Sequence, residues 1–142
     1  MTINNLNNLN NLNTLKIINY STIMHEYKEA FPHVLEYESK DGINTWYGFY
    51  NNNCLVGYCT INVQECLKES IFLYNFSIFK SKRGNNYGNT FMNLIKIAYN
   101  SSDIYIFCKK PLINYYHKLH FKVIHKYKAP IGQVCMVYIK NT

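Results

Sequence analysis

A basic segment with two glycines, Arg83-Gly84-Asn85-Asn86-Tyr87-Gly88, is the part of the sequence whose residue types most directly suggest chemistry. It follows a strand-like stretch, 70–79, and precedes a stretch with helical periodicity, 88–99. Backbone N–H groups at a helix N-terminus lack acceptors within the helix, and the helix dipole adds positive charge there. Glycine allows close approach of phosphate oxygens, and Arg83 adds a full charge. The segment alone predicts an anion site, with a steric role for its glycines as the alternative.

A second helical stretch carries a pair of tyrosines that could also take part in chemistry. It begins at Pro111, a residue suited to the first position of a helix, and its apolar face contains Leu112, Tyr115, Tyr116 and Leu119. Periodicity alone predicts that Tyr116 packs against a sheet, because it shares this face with the other apolar residues.

The elements that must position these residues follow from periodicity and turn chemistry. Predicted strands cover 15–18, 45–50, 54–63, 70–79, 103–108, 121–127 and 134–139. The fourth alternates, which predicts one shared face for Phe72, Tyr74, Phe76 and Ile78. A further helix is predicted for 21–31, and Asn51-Asn52-Asn53 is a predicted hairpin turn. The mixture, with a strand–helix–strand crossover in the second half, predicts an α+β (α/β mixed sheet) fold.

Composition divides the chain into a tail and one domain. Residues 1–14 are rich in Asn and are predicted to be disordered, whereas 15–142 form a single domain. There is no apolar run of membrane-span length and no signal peptide, so we expect no membrane and a cytoplasmic location. The five cysteines include no CxxC pair, and His117-x-x-His120 lacks further ligands, so no metal site is expected.

Charge is distributed unevenly along a chain whose formal net charge is +7. Asp103 is the only acidic residue within 80–142, so this half suits a polyanion, either nucleic acid or a phosphate-bearing cofactor. Acidic residues cluster within 26–41, which would attract an ammonium group, although a solvated helix face explains them equally well.

Several motifs, taken in order, resemble the GNAT superfamily of N-acetyltransferases. The segment 83–88 resembles the family's Gln/Arg-x-x-Gly-x-Gly/Ala, and Cys54-Leu55-Val56-Gly57-Tyr58 is similar to its third strand. Tyr115-Tyr116-His117-Lys118-Leu119-His120-Phe121 resembles Phe-Tyr-x-x-Leu-Gly-Phe. Asn86 and His120 stand where the motifs have glycine, and Lys80 stands where a proline is usual.

The resemblance implies a GNAT-like acyl-CoA N-acyltransferase fold, with a central, mostly antiparallel sheet that is flanked by helices and splayed between strands 4 and 5. It implies acetyl-CoA as cosubstrate. Backbone groups of Phe76 and Ile78 would hold the pantetheine arm. The implied pyrophosphate residues are Arg83, Gly84, Asn85, Asn86, Tyr87, Gly88 and Asn89.

The resemblance also implies direct attack by an amine on the thioester, with Tyr116 as the general acid for the thiolate. The general base is not evident. Tyr74 and Glu69 are weak candidates for the base or its water relay, beside Asn75 and Glu65. A primary amine acceptor is expected, and the acidic stretch suggests a cationic small amine, a polyamine or a lysine side chain.

Two other functions stay open at this point. A GNAT-like fold could serve as a catalytically weak or inactive CoA-binding or interaction module, which the missing motif glycine favours. A nucleic-acid-binding protein is favoured by charge alone, and no RNA-binding motif accompanies it. The oligomeric state is open, with a homodimer as one option.

Overall fold

The computed structural model describes residues 2–3, 12–19, 43–63 and 69–140. The predicted helix 21–31, the acidic stretch 26–41 and Glu65 lie outside these residues. The described strands are β1 (Thr2–Ile3), β2 (Asn13–Ile17), β3 (Ile43–Asn51), β4 (Cys54–Val63), β5 (Ser70–Ile78), β6 (Asp103–Lys109), β7 (Lys122–Ile124) and β8 (Gln133–Tyr138). The described α-helices are α1 (Tyr87–Ala98) and α2 (Ile113–Lys118).

The strands form one sheet in the order β1-β2-β3-β4-β5-β6-β8-β7. β5 and β6 pair in parallel, and the other neighbouring strands pair antiparallel. α1 connects β5 to β6, because parallel neighbours need a crossover connection. The predicted mixed sheet and the crossover in the second half are confirmed.

The first strands extend further toward the N-terminus than the sequence indicated. β1 pairs with β2, and β2 begins at Asn13 rather than Leu15. Residues 2–3 and 13–14, which fall within the predicted tail, form backbone ladders with β2 and β3. The division into a tail, 1–14, and a domain, 15–142, stays a prediction.

The β3–β4 hairpin turns as its asparagines predict. Asn52 and Asn53 have φ angles of 50° and 64°, the left-handed conformation that a tight hairpin turn requires. Asn tolerates this conformation better than most residues that carry a side chain.

β5 contains a bulge that reverses the side-chain alternation within the strand. Tyr58 faces Ser77 while Thr60 faces Tyr74, so β5 has one residue more than β4 over this interval. The φ angle of Asn75 is 55°, and its Nδ2 donates to Thr60 Oγ1 at 3.3 Å.

The predicted shared face of β5 is therefore wrong beyond Asn75. Phe72 and Tyr74 pack in one cluster, with Tyr105 and Phe107, whereas Ile78 and Phe76 pack on the opposite side, with the helices. The extra residue turns the last part of the strand over.

β5 and β6 separate at their C-terminal ends. Their pairing covers Ser70–Leu73 of β5 and Asp103–Ile106 of β6, and no ladder joins the two strands beyond it. β6 stays paired with β8 as far as Lys109, so it is β5 that leaves its neighbour. The splay that the motifs imply between strands 4 and 5 of the family is therefore confirmed, because those strands correspond to β5 and β6 here.

Both described helices cover the same face of the sheet. Phe91, Met92 and Ile95 of α1 share a buried cluster with Tyr116 and Leu119. Pro111 lies in a 3-10 turn, Lys110–Leu112, and α2 starts at Ile113, later than predicted. Within the described part of the chain, none of the helices has the length and apolar character needed to cross a membrane.

Candidate functional site

A cavity of about 780 Å³ lies beside the end of β5, beyond the part of this strand that pairs with β6. Its wall is formed by the end of β5, the following loop, the start of α1, and α2. The lining residues are Phe76, Ser77, Ile78, Arg83, Gly84, Asn86, Tyr87, Gly88, Asn89, Leu112, Tyr115, Tyr116, Lys118 and Leu119. Among the described residues, the lining therefore contains the cations Arg83 and Lys118 and no acidic side chain.

The loop before α1 presents its backbone to this cavity. Gly84 has a φ angle of 92°, and Asn86, the N-cap residue, has φ 60° and ψ 23°. Asn86 thus adopts the left-handed conformation in place of the motif glycine. The Thr90 amide donates to Asn86 O at 3.3 Å, so the earlier amides of α1, from Tyr87 to Asn89, have no acceptor of that kind.

Arg83 ties this loop to the end of β5. Its Nε donates to Ile78 O at 3.0 Å, which fixes the guanidinium at the cavity. The Asn85 side chain instead bonds within the loop, because its Nδ2 donates to Lys82 O at 3.1 Å. Asn85 is the one predicted cofactor residue that does not line this cavity.

Gly88 lies directly against Tyr115. A Cβ atom built at Gly88 would collide with the Tyr115 hydroxyl oxygen. Glycine at this position allows the phenol of α2 to lie against the first turn of α1, at the point where an anion would meet the helix amides.

Tyr116 is buried between the helices and the splayed strands. Its ring lies 6.5 Å from that of Phe76 and 5.8 Å from that of Phe121. Burial raises the pKa of the Tyr116 hydroxyl well above its ordinary value of 10, and the neighbouring Tyr115 and Cys108 raise it further. The group is thus a neutral hydrogen-bond donor over the whole physiological range.

A second cavity, of about 990 Å³, meets the first at the splay. The two share Phe76, Ser77, Leu112 and Tyr116. Tyr74 and Asn75 line the second cavity, so the structure brings Tyr74 near the same junction from the other face of the sheet.

Glu69 is not brought to this junction. It precedes the first residue of β5, roughly 20 Å from Phe76 at the usual rise per strand residue. Its carboxylate binds Lys140 Nζ at 2.8 Å, and this contact lowers the pKa of Glu69. Its position does not favour a part in proton transfer at Tyr116.

Some lining residues were missed by the motif comparison. Ser77, Tyr115 and Lys118 line the first cavity, and Cys108 lines the second. Ser77 lies between two predicted residues, and Lys118 could have been found one turn after Tyr115 on α2. No sequence motif pointed to Cys108, because whether it lines the cavity depends on how β6 lies against α2.

His120, the other departure from the motifs, also takes a glycine-like conformation. Its φ angle is 71°, and its amide donates to His117 O at 2.9 Å as α2 ends. The side chain is exposed, so the turn forms without a glycine. Among the described residues, no three His, Cys, Asp or Glu side chains cluster in a way that could hold a metal ion.

Similarity to known proteins is found by comparing structures and not by comparing sequences. No protein-family model matches the sequence, and no curated protein is similar enough to count as a match. A GNAT-family protein from Bacteroides thetaiotaomicron has a similar structure, with a TM-score of 0.66 and 16% identity, covering 90% of this chain and 87% of that one. The chain has the GNAT fold.

Two further structures extend this likeness. The ribosomal-protein-S18-alanine N-acetyltransferase from Escherichia coli shares the GNAT fold with a TM-score of 0.64 and 13% identity, over 88% of this chain and 92% of that one. N-acetylglutamate synthase from Neisseria gonorrhoeae, solved with coenzyme A and L-arginine, has a TM-score of 0.69 and 9% identity. That match covers 92% of this chain but 34% of the synthase. At these identities, what is shared is the fold.

Proposed function

We propose that this chain is an N-acetyltransferase that moves an acetyl group from acetyl-CoA to a primary amine. The observation that carries the proposal is the junction at the splay of β5 and β6. There, one cavity is lined by the first residues of α1, by the part of β5 that has no β6 partner, and by Tyr116. The GNAT fold alone would not supply a competent site, because one fold hosts many functions.

Acetyl-CoA fits the residues present in the first cavity. The amides that begin α1, with Arg83 and Lys118, offer positive potential for a pyrophosphate. The end of β5 has no ladder partner on its β6 side, so the amides of a pantetheine arm could pair with Phe76 and Ile78 as an added strand would. Bound there, acetyl-CoA would supply the acetyl thioester.

The transfer needs one bond to form and one to break. The amine nitrogen bonds to the acetyl carbon and loses one proton to water, while the carbon–sulfur bond breaks and the thiolate takes up one proton. The chain's part in this step is to orient the two reactants and to provide a donor at the sulfur.

We assign that donor to Tyr116. A free thiol has a pKa of about 8.5, below that of any tyrosine, so full transfer to the sulfur would be uphill in water. The burial that raises the pKa of Tyr116 would also raise that of a thiol in the same place, which lessens the mismatch.

The proton lost by the amine has no obvious acceptor among the described residues. Neither cavity is lined by a described carboxylate. We retain Tyr74 as a candidate for a water relay because it lines the second cavity with Tyr116, and we set Glu69 aside. The acceptor class predicted from residues 26–41 stays a prediction, as do the cytoplasmic location and a homodimer.

The direct test is thiol release from acetyl-CoA in the presence of a panel of primary amines. We expect amine-dependent release, and we expect Tyr116→Phe to reduce it. The same panel tests the alternative of an inactive module, which Asn86 and the lack of a described carboxylate favour. Acetyl-CoA binding without release from any amine would select that alternative.

A further inference from the structure

The second cavity lies where an acceptor would have to approach. It shares Tyr116 and Ser77 with the first cavity. Its lining combines Tyr74 and Phe107 of the other face with helix-side residues, so a molecule held in it reaches the same junction through the gap between β5 and β6. Its walls come from the bulged part of β5, the end of β6 and the loop before β8.

The two described charged side chains that line this cavity are both cationic. Lys109 ends β6 and faces Gln133 of β8, and Lys128 lies on the loop that leads to that strand. The loop is held at its far end by a bond from the Gln133 amide to Pro130 O, at 3.0 Å. Both lysines are exposed, and they flank the cavity from neighbouring segments.

The acids of the described residues lie elsewhere. Glu69 and Asp103 are at the opposite ends of β5 and β6, where both bind Lys140. Within the described part of the chain, nothing in the second cavity offsets the charge of Lys109 and Lys128. Lys109 and Lys128 therefore repel the cationic chain of a polyamine at this cavity.

The cavity also offers an aromatic wall. The rings of Tyr74 and Phe107 are stacked with their centres 6.4 Å apart. Ile131 projects fully exposed from the loop beside Lys128. These groups would bind a flat apolar portion of an acceptor.

We propose that the acceptor is an amine that also carries a carboxylate, held by Lys109 and Lys128, with an aromatic or other apolar portion against Tyr74 and Phe107. The inference rests on the proposed function for its chemistry. Nearby cations would also lower the pKa of a bound ammonium and so favour the neutral, nucleophilic amine, a role that no described carboxylate fills in either cavity.

Two amines of similar shape test this inference: phenylalanine, which carries the carboxylate, and 2-phenylethylamine, which lacks it. Spermidine represents the polyamines. We expect kcat/KM for phenylalanine to exceed that of the other two by at least about tenfold, as a charge-assisted contact would give. Replacing both lysines, Lys109→Met with Lys128→Met, should remove this advantage and leave the KM of acetyl-CoA unchanged.

Lys122→Met is the control for loss of a surface lysine, because Lys122 is an exposed lysine on β7 that lines neither cavity. It removes a positive charge without touching the site and should leave the preference intact. A preference for spermidine, or a phenylalanine preference that survives the double replacement, would overturn the inference.

Binding separates a failure of this inference from a failure of the proposed function. Phenylalanine is titrated calorimetrically into protein saturated with coenzyme A. Lysine-dependent binding with no thiol release from any amine would uphold the carboxylate site and reject the acetyltransferase. Amine-dependent thiol release with no lysine-dependent binding of phenylalanine would uphold the acetyltransferase and reject the carboxylate site.

Discussion

Tyr116 combines a packing role and a candidate chemical role at the residue scale. It packs against Phe76 and Phe121 as the sequence periodicity suggests, and it also lines both cavities. Packing and proton donation are therefore compatible roles for one side chain, and a substitution that keeps the ring can separate them.

Tyr116→Phe keeps the ring and removes the hydroxyl. We expect kcat to fall by about 10²-fold, at the lower end of what general acid catalysis contributes, while the Kd of acetyl-CoA changes little. Tyr115→Phe is the control, since Tyr115 lines the first cavity only. Steady-state thiol release measures both, and equal kcat values for Tyr116→Phe and the parent would leave Tyr116 with packing alone.

Asn86 is the residue at which this loop departs from the motif, and its left-handed backbone predicts the effect of replacing it. Asn86→Gly should bind acetyl-CoA at least as tightly as the parent, because the conformation is kept and a side chain leaves the cavity wall. Asn86→Ala should lower the free energy of unfolding by about 1–2 kcal/mol relative to Asn86→Gly, since alanine resists positive φ. Calorimetry and urea unfolding measure the two effects; weaker binding by Asn86→Gly would mean that the Asn86 side chain itself contacts the ligand.

The decisive element is β5, whose bulge turns Phe76 toward the helices while Tyr74 stays on the other face. Regular alternation would have placed Tyr74 and Phe76 on one side, and the two cavities would not meet across the strand. The bulge at Asn75 thus shapes both halves of the candidate site.

Asn75 provides the test of that bulge. Asn75→Gly should retain it, whereas Asn75→Val should lower the free energy of unfolding by about 1–2 kcal/mol more, because a β-branched residue is strained at φ 55°. The comparison is made by urea unfolding, with acetyl-CoA affinity as a second readout. Equal stability of the two variants would show that the bulge is not the conformation adopted in solution.

Sequence reasoning succeeded for elements whose signals are local. Residues that are neighbours in the sequence are enough to predict the β3–β4 turn at Asn52 and Asn53, the crossover helix and the basic loop. The bulge was missed because Phe72, Tyr74, Phe76 and Ile78 alternate without interruption, and only the register against β4 reveals the extra residue. Cys108 was missed for a similar reason, because its place depends on strand separation rather than on spacing along the chain.

The molecule as a whole carries buried tyrosines on both faces of its sheet. Burial raises the pKa values of Tyr58, Tyr99 and Tyr116, and the Tyr99 hydroxyl also hydrogen-bonds that of Tyr47 at 2.8 Å. The folded state therefore holds these protons more tightly than the unfolded state, whose tyrosines titrate near pH 10.

This difference predicts loss of stability in base. Above about pH 10 the unfolded chain releases protons that the folded chain keeps, so the free energy of unfolding falls as pH rises, by up to about 1.4 kcal/mol per pH unit for each such tyrosine. Tyr99→Phe removes one of these protons and should make the decline shallower. Urea unfolding between about pH 9 and 11 measures the slopes, and parallel declines would contradict the assignment for Tyr99.

The central claim is that the cavity beside α1 binds acetyl-CoA, and calorimetric titration of acetyl-CoA into the protein tests it most directly. We expect saturable binding. Arg83→Met should weaken it by about tenfold, because one charge-assisted contact is lost. Lys122→Met makes the same change in charge outside the cavity and should leave the binding unaltered. Binding should also weaken as salt concentration rises, because the contact is ionic. Absence of binding at millimolar acetyl-CoA, or equal losses in the two variants, would contradict the account.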